Sequence, residues 1–182
     1  RDRSMAMQHT PLLMSKIIDR GAKVAPNEEI VTATENGVRR QTYKETRDRA
    51  HQLAHALADA GIAVGDRVGT FMWNGSRHLE AYQACAGMGA VLHTLNIRLS
   101  EKDLEYIINH AEDQIIIVDA DILPLLEKLE GKMPTVRQVV IATEEGFEGW
   151  STQLPNAVDY EDFIKEKPTH YEWPDIDENS PL

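Results

Sequence analysis

The sequence has one cysteine, Cys85, in 182 residues, which excludes an internal disulfide and fits a reducing compartment. Basic residues are also scarce: 19 Lys and Arg stand against 30 Asp and Glu, a net charge of -11. Nucleic-acid and anionic-membrane surfaces need clustered Lys and Arg, so this balance argues against both. No apolar run approaches the roughly 18 to 20 residues that span a bilayer, so no transmembrane segment is expected. Residues 1–7 lack the apolar core of a signal peptide. The expectation from these absences is a cytoplasmic protein. Two chemical motifs are missing as well. There is no Gly-x-Ser-x-Gly turn for a nucleophilic serine, and no glycine-rich loop ending in Gly-Lys-Ser or Gly-Lys-Thr.

What is present has the pattern of a globular α/β chain. Hydrophobic residues make up 42%, enough for one stable core at this length. Leu12, Leu13, Ile17, Ile18 and Ala22 fall near helical spacing, predicting a helix over Pro11 to Val24. Glu29 to Thr34 and Val38 to Thr42 read as a hairpin, because Asn36-Gly37 between them tolerates positive φ. Thr42-Tyr43-Lys44-Glu45 has the form of a capping box and opens a helix with Ala50, Leu53, Ala54, Leu57 and Ala58 inward; Gly61 ends it. Arg67 to Trp73, Ala90 to Thr94, Ile115 to Val118 and Val136 to Ala142 are strand-like runs. Helical segments separate them at Arg77 to Gly89, from Ser100 onward, and at Ile122 to Leu129. Such alternation predicts a doubly wound, mostly parallel sheet with flanking helices and an N-terminal hairpin. We expect an α/β subdomain over 1–142 and an irregular connector over 143–182, where Tyr160 to Lys165 is the one plausible helix. Phe147, Trp150, Tyr171 and Trp173 predict that the connector docks on protein surface.

Most chemistry-bearing residues have a plainer reading beside the functional one. Gly87-Met88-Gly89 ends a helix instead of opening one, which favours close packing over a dinucleotide turn. His51 and His55 have a metal-ligand spacing, but no third ligand is evident, so a solvated helix face is expected. Cys85 among small residues reads as an inert thiol, and His93 as a packing or hydrogen-bonding group. Ser76 has no nucleophile context. The acidic pairs Glu144-Glu145 and Glu161-Asp162, and the run Asp175 to Glu178, read as solvated surface. Trp73-Asn74-Gly75 and Asn96-Ile97-Arg98 are the candidate site segments, since both follow the carboxyl ends of predicted parallel strands. Arg98 can meet a phosphate or make a structural ion pair, and Asn74 can serve a ligand or cap a helix. Position alone leaves both pairs of readings open.

Several segments in fixed order carry a family resemblance: Thr42-Tyr43-x-Glu45, Gly65-Asp66-Arg67-Val68, His78-Leu79-Glu80-Ala81-Tyr82, Gly87-Met88-Gly89-Ala90, Asn96-x-Arg98-Leu99 and Asn109-His110-Ala111-Glu112-Asp113. Together they resemble the N-terminal portion of the adenylate-forming acyl-CoA synthetases, in the medium- and long-chain fatty-acid–CoA ligase branch. The resemblance implies a parent enzyme that uses ATP, Mg2+ and CoA to turn a carboxylic acid into an acyl-adenylate and then a thioester. It places the phosphate loop just after a segment like Asp177 to Leu182, so no catalytic residue carries over to this chain. In some relatives the segment matching Asn96, Ile97 and Arg98 lies near the CoA nucleotide, and in some this portion supports a homodimer. Two alternatives accompany the fatty-acid reading. One is a non-enzymatic module completed by another chain; the other is a ligase for a short thioether or aromatic acid.

Overall fold

The computed structural model describes residues 18–34, 37–144 and 147–174. The expected helix over Pro11 to Val24 is helical over 18–24; its earlier part, the Glu35-Asn36 turn, Glu145 and the run Asp175 to Glu178 lie outside the described residues. Strands β1 (Glu29–Thr34) and β2 (Gly37–Thr42) pair antiparallel, from Glu29 opposite Thr42 to Thr34 opposite Gly37. Helix α1 (Tyr43–Asp59) starts where expected because Thr42 Oγ1 accepts the Glu45 N–H at 3.1 Å, satisfying one of the first-turn donors.

The main sheet is wholly parallel, in the order β4-β3-β5-β6-β7. Its strands are β3 (Arg67–Phe71), β4 (Val91–Thr94), β5 (Ile115–Asp119), β6 (Gln138–Ala142) and β7 (Val158–Asp159). Helices α2 (Ser76–Met88) and α3 (Glu101–Ala111) connect β3 to β4 and β4 to β5. A 3-10 turn (Ala120–Ile122) runs into α4 (Leu123–Glu127) on the way to β6, and α5 (Tyr160–Ile164) follows β7. The two-residue strand β7 was not expected within the connector. Its Val158 and Asp159 pair with Val140 and Ile141 of β6, a register that two residues cannot announce by periodicity.

Side-chain alternation sorts the strands onto two faces. Val68, Ile115, Ile117, Val140 and Ala142 meet α1, α2 and α5; Phe71, Ile116, Val118, Val139 and Ile141 meet α3 and α4. Residues Ile115 to Val118 are fully buried, as expected for a central strand covered on both sides. Each such side chain is stabilised by about 1.5–3 kcal/mol relative to exposure. The small residues of α2 divide between two surfaces. Ala81, Ala84 and Cys85 lie against the sheet, whereas Gly87 faces the indole of Trp173, and an added Cβ would stand 2.5 Å from that ring. Gly89 ends the helix in the left-handed region at φ 82°, which a side chain rarely adopts.

Candidate functional site

In an open parallel sheet, a crevice forms at the carboxyl ends where neighbouring strands send their connections to opposite sides. Here β3 leads through α2 toward β4, while β5 leads through α4 toward β6, so the crevice lies beyond β3 and β5. A cavity of about 470 Å³ occupies that place. Trp73, Asn74 and Gly75 line it from β3, Asp119 and Asp121 from β5, and Glu144 and Phe147 from β6 onward, with Arg39 of β2 alongside. One candidate segment, Trp73-Asn74-Gly75, therefore sits in the crevice. Asn74 does not cap α2: Gly75 occupies the cap position, with no side-chain bond.

Two carboxylates hold the tryptophan at the cavity mouth. Asp119 Oδ2 accepts the Trp73 backbone N–H at 2.7 Å, and Asp121 Oδ2 accepts its indole N–H at 2.9 Å. Trp73 is 53% exposed, and its ring is an apolar surface presented with a fixed orientation. Burial pushes the Asp119 carboxyl up to about 6, with Asp121 and Glu144 adding repulsion and the Trp73 N–H and Arg77 opposing the rise. Below the mouth, His78 is held neutral by burial, its pKa pushed down to about 4, and its Nε2 bonds with Thr70 Oγ1 at 3.0 Å.

Both arginines of the cavity wall meet carboxylates, and Arg39 approaches Glu161 Oε1 at 3.8 Å. Arg77 donates to Glu144 at 3.3 Å and to Glu161 Oε1 at 3.0 and 3.3 Å. Glu161 also takes two bonds from Arg49, at 2.7 and 2.8 Å. Burial alone would raise Glu161, but the Arg49 and Arg77 guanidiniums outweigh it and bring its pKa down to about 2. Behind it, Glu80 is fully buried and accepts from Gln41 at 2.7 Å, Arg49 at 3.0 Å and Tyr160 at 2.9 Å. This network ties β2, α1, α2 and α5 together. It corrects the expectation that Glu161 and Glu144 are merely solvated: both close on Arg77, because α5 and the end of β6 bring carboxylates to a guanidinium that cannot be buried unpaired.

The second candidate segment lies elsewhere. Asn96, Ile97 and Arg98 follow edge strand β4, away from the crevice. Asn96 Oδ1 accepts the Arg98 backbone N–H at 2.9 Å, Ile97 packs against the core on the α3 and α4 face of the sheet, and the Arg98 side chain is exposed. Among the described residues Arg98 makes no ion pair. His93 bonds through Nδ1 to the buried Asp113 at 2.8 Å, a hydrogen-bonding role. Cys85 is fully buried, and burial pushes its thiol up to about 12, so it is unreactive.

The expected solvated face at His51 and His55 is also corrected. His51 is 1% exposed, because residues 167–174 cross α1 and cover it. No group of three or more His, Cys, Asp or Glu gathers to hold a metal among the described residues. Sequence reasoning missed Asp119, Asp121, Arg77 and Glu80. Only Asp119 carried a local signal, as the polar residue that ends the apolar run at a strand's carboxyl end.

Residues 18–180 match the family described as AMP-binding enzyme. A medium-chain-fatty-acid–CoA ligase of Ectopseudomonas oleovorans is 37% identical over 174 residues, which cover 95% of this chain and 32% of that protein. A 3-methylmercaptopropionyl-CoA ligase of Ruegeria pomeroyi is 38% identical over 175 residues, covering 96% and 32%. The crystal structure of an anthranilate CoA ligase with anthranoyl-AMP has a TM-score of 0.72 at 23% identity over 88% of this chain and 28% of its own, which shows the fold. The chain spans about a third of the length of the curated relatives it matches. The family match spans the residues that build the hairpin, the parallel sheet and the crevice, and the chain belongs to the AMP-binding enzyme family.

Proposed function

We propose that the chain serves as the N-terminal scaffold of an ATP-dependent fatty-acid–CoA ligase. The observation that carries this reading is the likeness to the medium-chain ligase along almost the whole chain. In the proposed reaction a carboxylate oxygen attacks the α-phosphorus of ATP and pyrophosphate leaves. The CoA thiol then attacks the acyl carbon and AMP departs with the electron pair. A carboxylate is a poor electrophile, and the adenylate supplies the leaving group it lacks.

The described residues bind and orient more than they react. The crevice offers the ordered Trp73 face, while its two guanidiniums, Arg39 and Arg77, already face carboxylates. No group of three or more His, Cys, Asp or Glu gathers among the described residues, and in the proposed reaction Mg2+ would screen the phosphates of ATP. A CoA edge at Asn96 to Arg98, a cytoplasmic location and a homodimer belong to the same proposal. The relative named for 3-methylmercaptopropionate favours a second reading, a short thioether acid as substrate.

The test is thioester formation by the protein expressed from its whole reading frame, with octanoate, 3-methylmercaptopropionate and benzoate in parallel. Preference for octanoate is expected, and preference for the thioether acid selects the second reading. No thioester from any carboxylate would overturn both. The 182-residue chain alone is expected to show no ATP–pyrophosphate exchange; robust exchange overturns the scaffold role.

A further inference from the structure

Residues 167–174 run across α1 without regular structure, yet they are held at Lys167, His170, Tyr171 and Trp173. Gln52 Nε2 donates to the Lys167 carbonyl at 3.0 Å, and the Lys167 ammonium meets Asp59 at 2.8 Å. His55 Nε2 bonds with the His170 carbonyl at 2.6 Å. The Tyr171 backbone N–H donates to His51 Nδ1 at 2.8 Å. Trp173 then lies against the His51 ring, centroids 4.4 Å apart, and over Gly87 of α2.

The Tyr171 bond fixes the chemistry of His51. A ring nitrogen that accepts an N–H carries no proton, so the proton is on Nε2, which is buried without a partner. A second proton can enter only at Nδ1, and there it displaces the Tyr171 N–H. We propose that residues 167–174 form a strap latched by neutral His51, and that protonation of His51 releases the strap while the sheet stays folded.

The surroundings agree with this geometry. Burial pushes the His51 pKa down to about 4; Arg47 and His55 from α1 and His170 from the strap oppose its charge, and Asp48 favours it. Asp19, from residues 18–24, approaches Arg47 at 4.0 Å and softens that repulsion. On α2 the Trp173 ring lies over Gly87, which brings no charge. The sign follows from linkage. A histidine whose pKa is lower when latched than when free stabilises the latched state fully above about 6.5, and that contribution is lost as pH falls toward about 4. The inference does not depend on the ligase reading.

Amide hydrogen exchange of Tyr171, corrected for intrinsic rate, reads the latch directly. The Ile117 amide in the central strand reports global opening. Between pH 7.5 and 4.5, Tyr171 protection in the 182-residue chain should fall on the order of a hundredfold while Ile117 protection holds. His51→Asn keeps an acceptor near the Nδ1 position without the titration and should give a flat profile; His51→Leu should lower Tyr171 protection at both pH values. A flat wild-type profile overturns the latch, as does an Asn variant with the wild-type slope. Parallel loss at Tyr171 and Ile117 overturns separate release. Should the Leu variant fail to fold, the wild-type and Asn profiles still decide.

Discussion

Replacing Glu80 tests whether the buried network stabilises this fold as its geometry implies. Glu80 is fully buried, and its two oxygens receive three donors, from Gln41, Arg49 and Tyr160. Glu80→Ala removes all three acceptor sites at once and leaves a guanidinium short of one partner. Breaking a buried pair from one side costs about 3–5 kcal/mol. Two contacts moderate that figure: Arg49 keeps both bonds to Glu161, and Gln41 Nε2 keeps Thr46 Oγ1 at 2.9 Å. About 3 kcal/mol is therefore expected. Glu80→Gln preserves the shape and can turn its amide nitrogen toward Tyr160, whose hydroxyl can accept, so about 1.5 kcal/mol is expected. At a urea slope of about 2 kcal/mol/M, the midpoints at pH 7.5 should fall by about 1.5 M and about 0.7 M. Glu29→Ala, which removes the exposed partner of Arg40, should cost less than about 1 kcal/mol. A Glu80→Ala protein within about 0.5 kcal/mol of wild type, or a Gln variant worse than Ala, would refute the reasoning.

Three further outcomes are expected, beside the pH profile of the strap. In Gly87→Leu the new side chain meets Trp173 ring atoms already 2.5–2.7 Å from an ideal Cβ. The strap should lift, red-shifting Trp173 emission in a Trp73→Phe, Trp150→Phe background; unchanged emission would mean the contact is not formed. Asp119 has a pKa raised by burial to about 6, so its contribution is complete below about 3.8 and is lost as pH rises through 6. Asp119→Asn retains an acceptor for the Trp73 N–H and should gain about 1 kcal/mol at pH 7.5 and almost nothing at pH 3; equal effects at both pH values would count against the buried charge. In the protein expressed from its whole frame, Arg98→Ala should raise the CoA concentration needed for half-maximal rate and leave acyl-adenylate formation intact. Equal loss of both half-reactions would remove Arg98 from the CoA edge.

The elements announced in the sequence are those with local causes. Thr42 and Ser100 cap helices through the N–H three residues on, and Ile115 to Val118 is apolar throughout because both faces are covered. The crevice was legible to the extent that Trp73-Asn74-Gly75 follows a strand's carboxyl end. What stayed hidden depends on residues far apart in the chain. Glu161 looks like an ordinary surface acid until α5 lands beside Arg49, 112 positions earlier. His51 looks solvated until Tyr171, 120 positions later, donates to it. No window of a dozen residues contains either partner. The aromatic content near the end did signal docking, but not that Gly87 would be the floor beneath Trp173.

The separation between Glu80 and Tyr160 also has a consequence in time. On a ribosome adding about 5–20 residues per second, roughly 4 to 16 seconds pass between their syntheses. During that interval α1 and α2 can meet, yet one oxygen of Glu80 has no tyrosine to accept from, and neither Arg49 nor Arg77 has Glu161. The nascent chain therefore carries a patch short of one carboxylate, with Arg49 held by Glu80 and Arg77 by Glu144 only, where the finished protein has its most connected polar contacts. Order along this sheet is completed from its distal end, when β7 and α5 arrive.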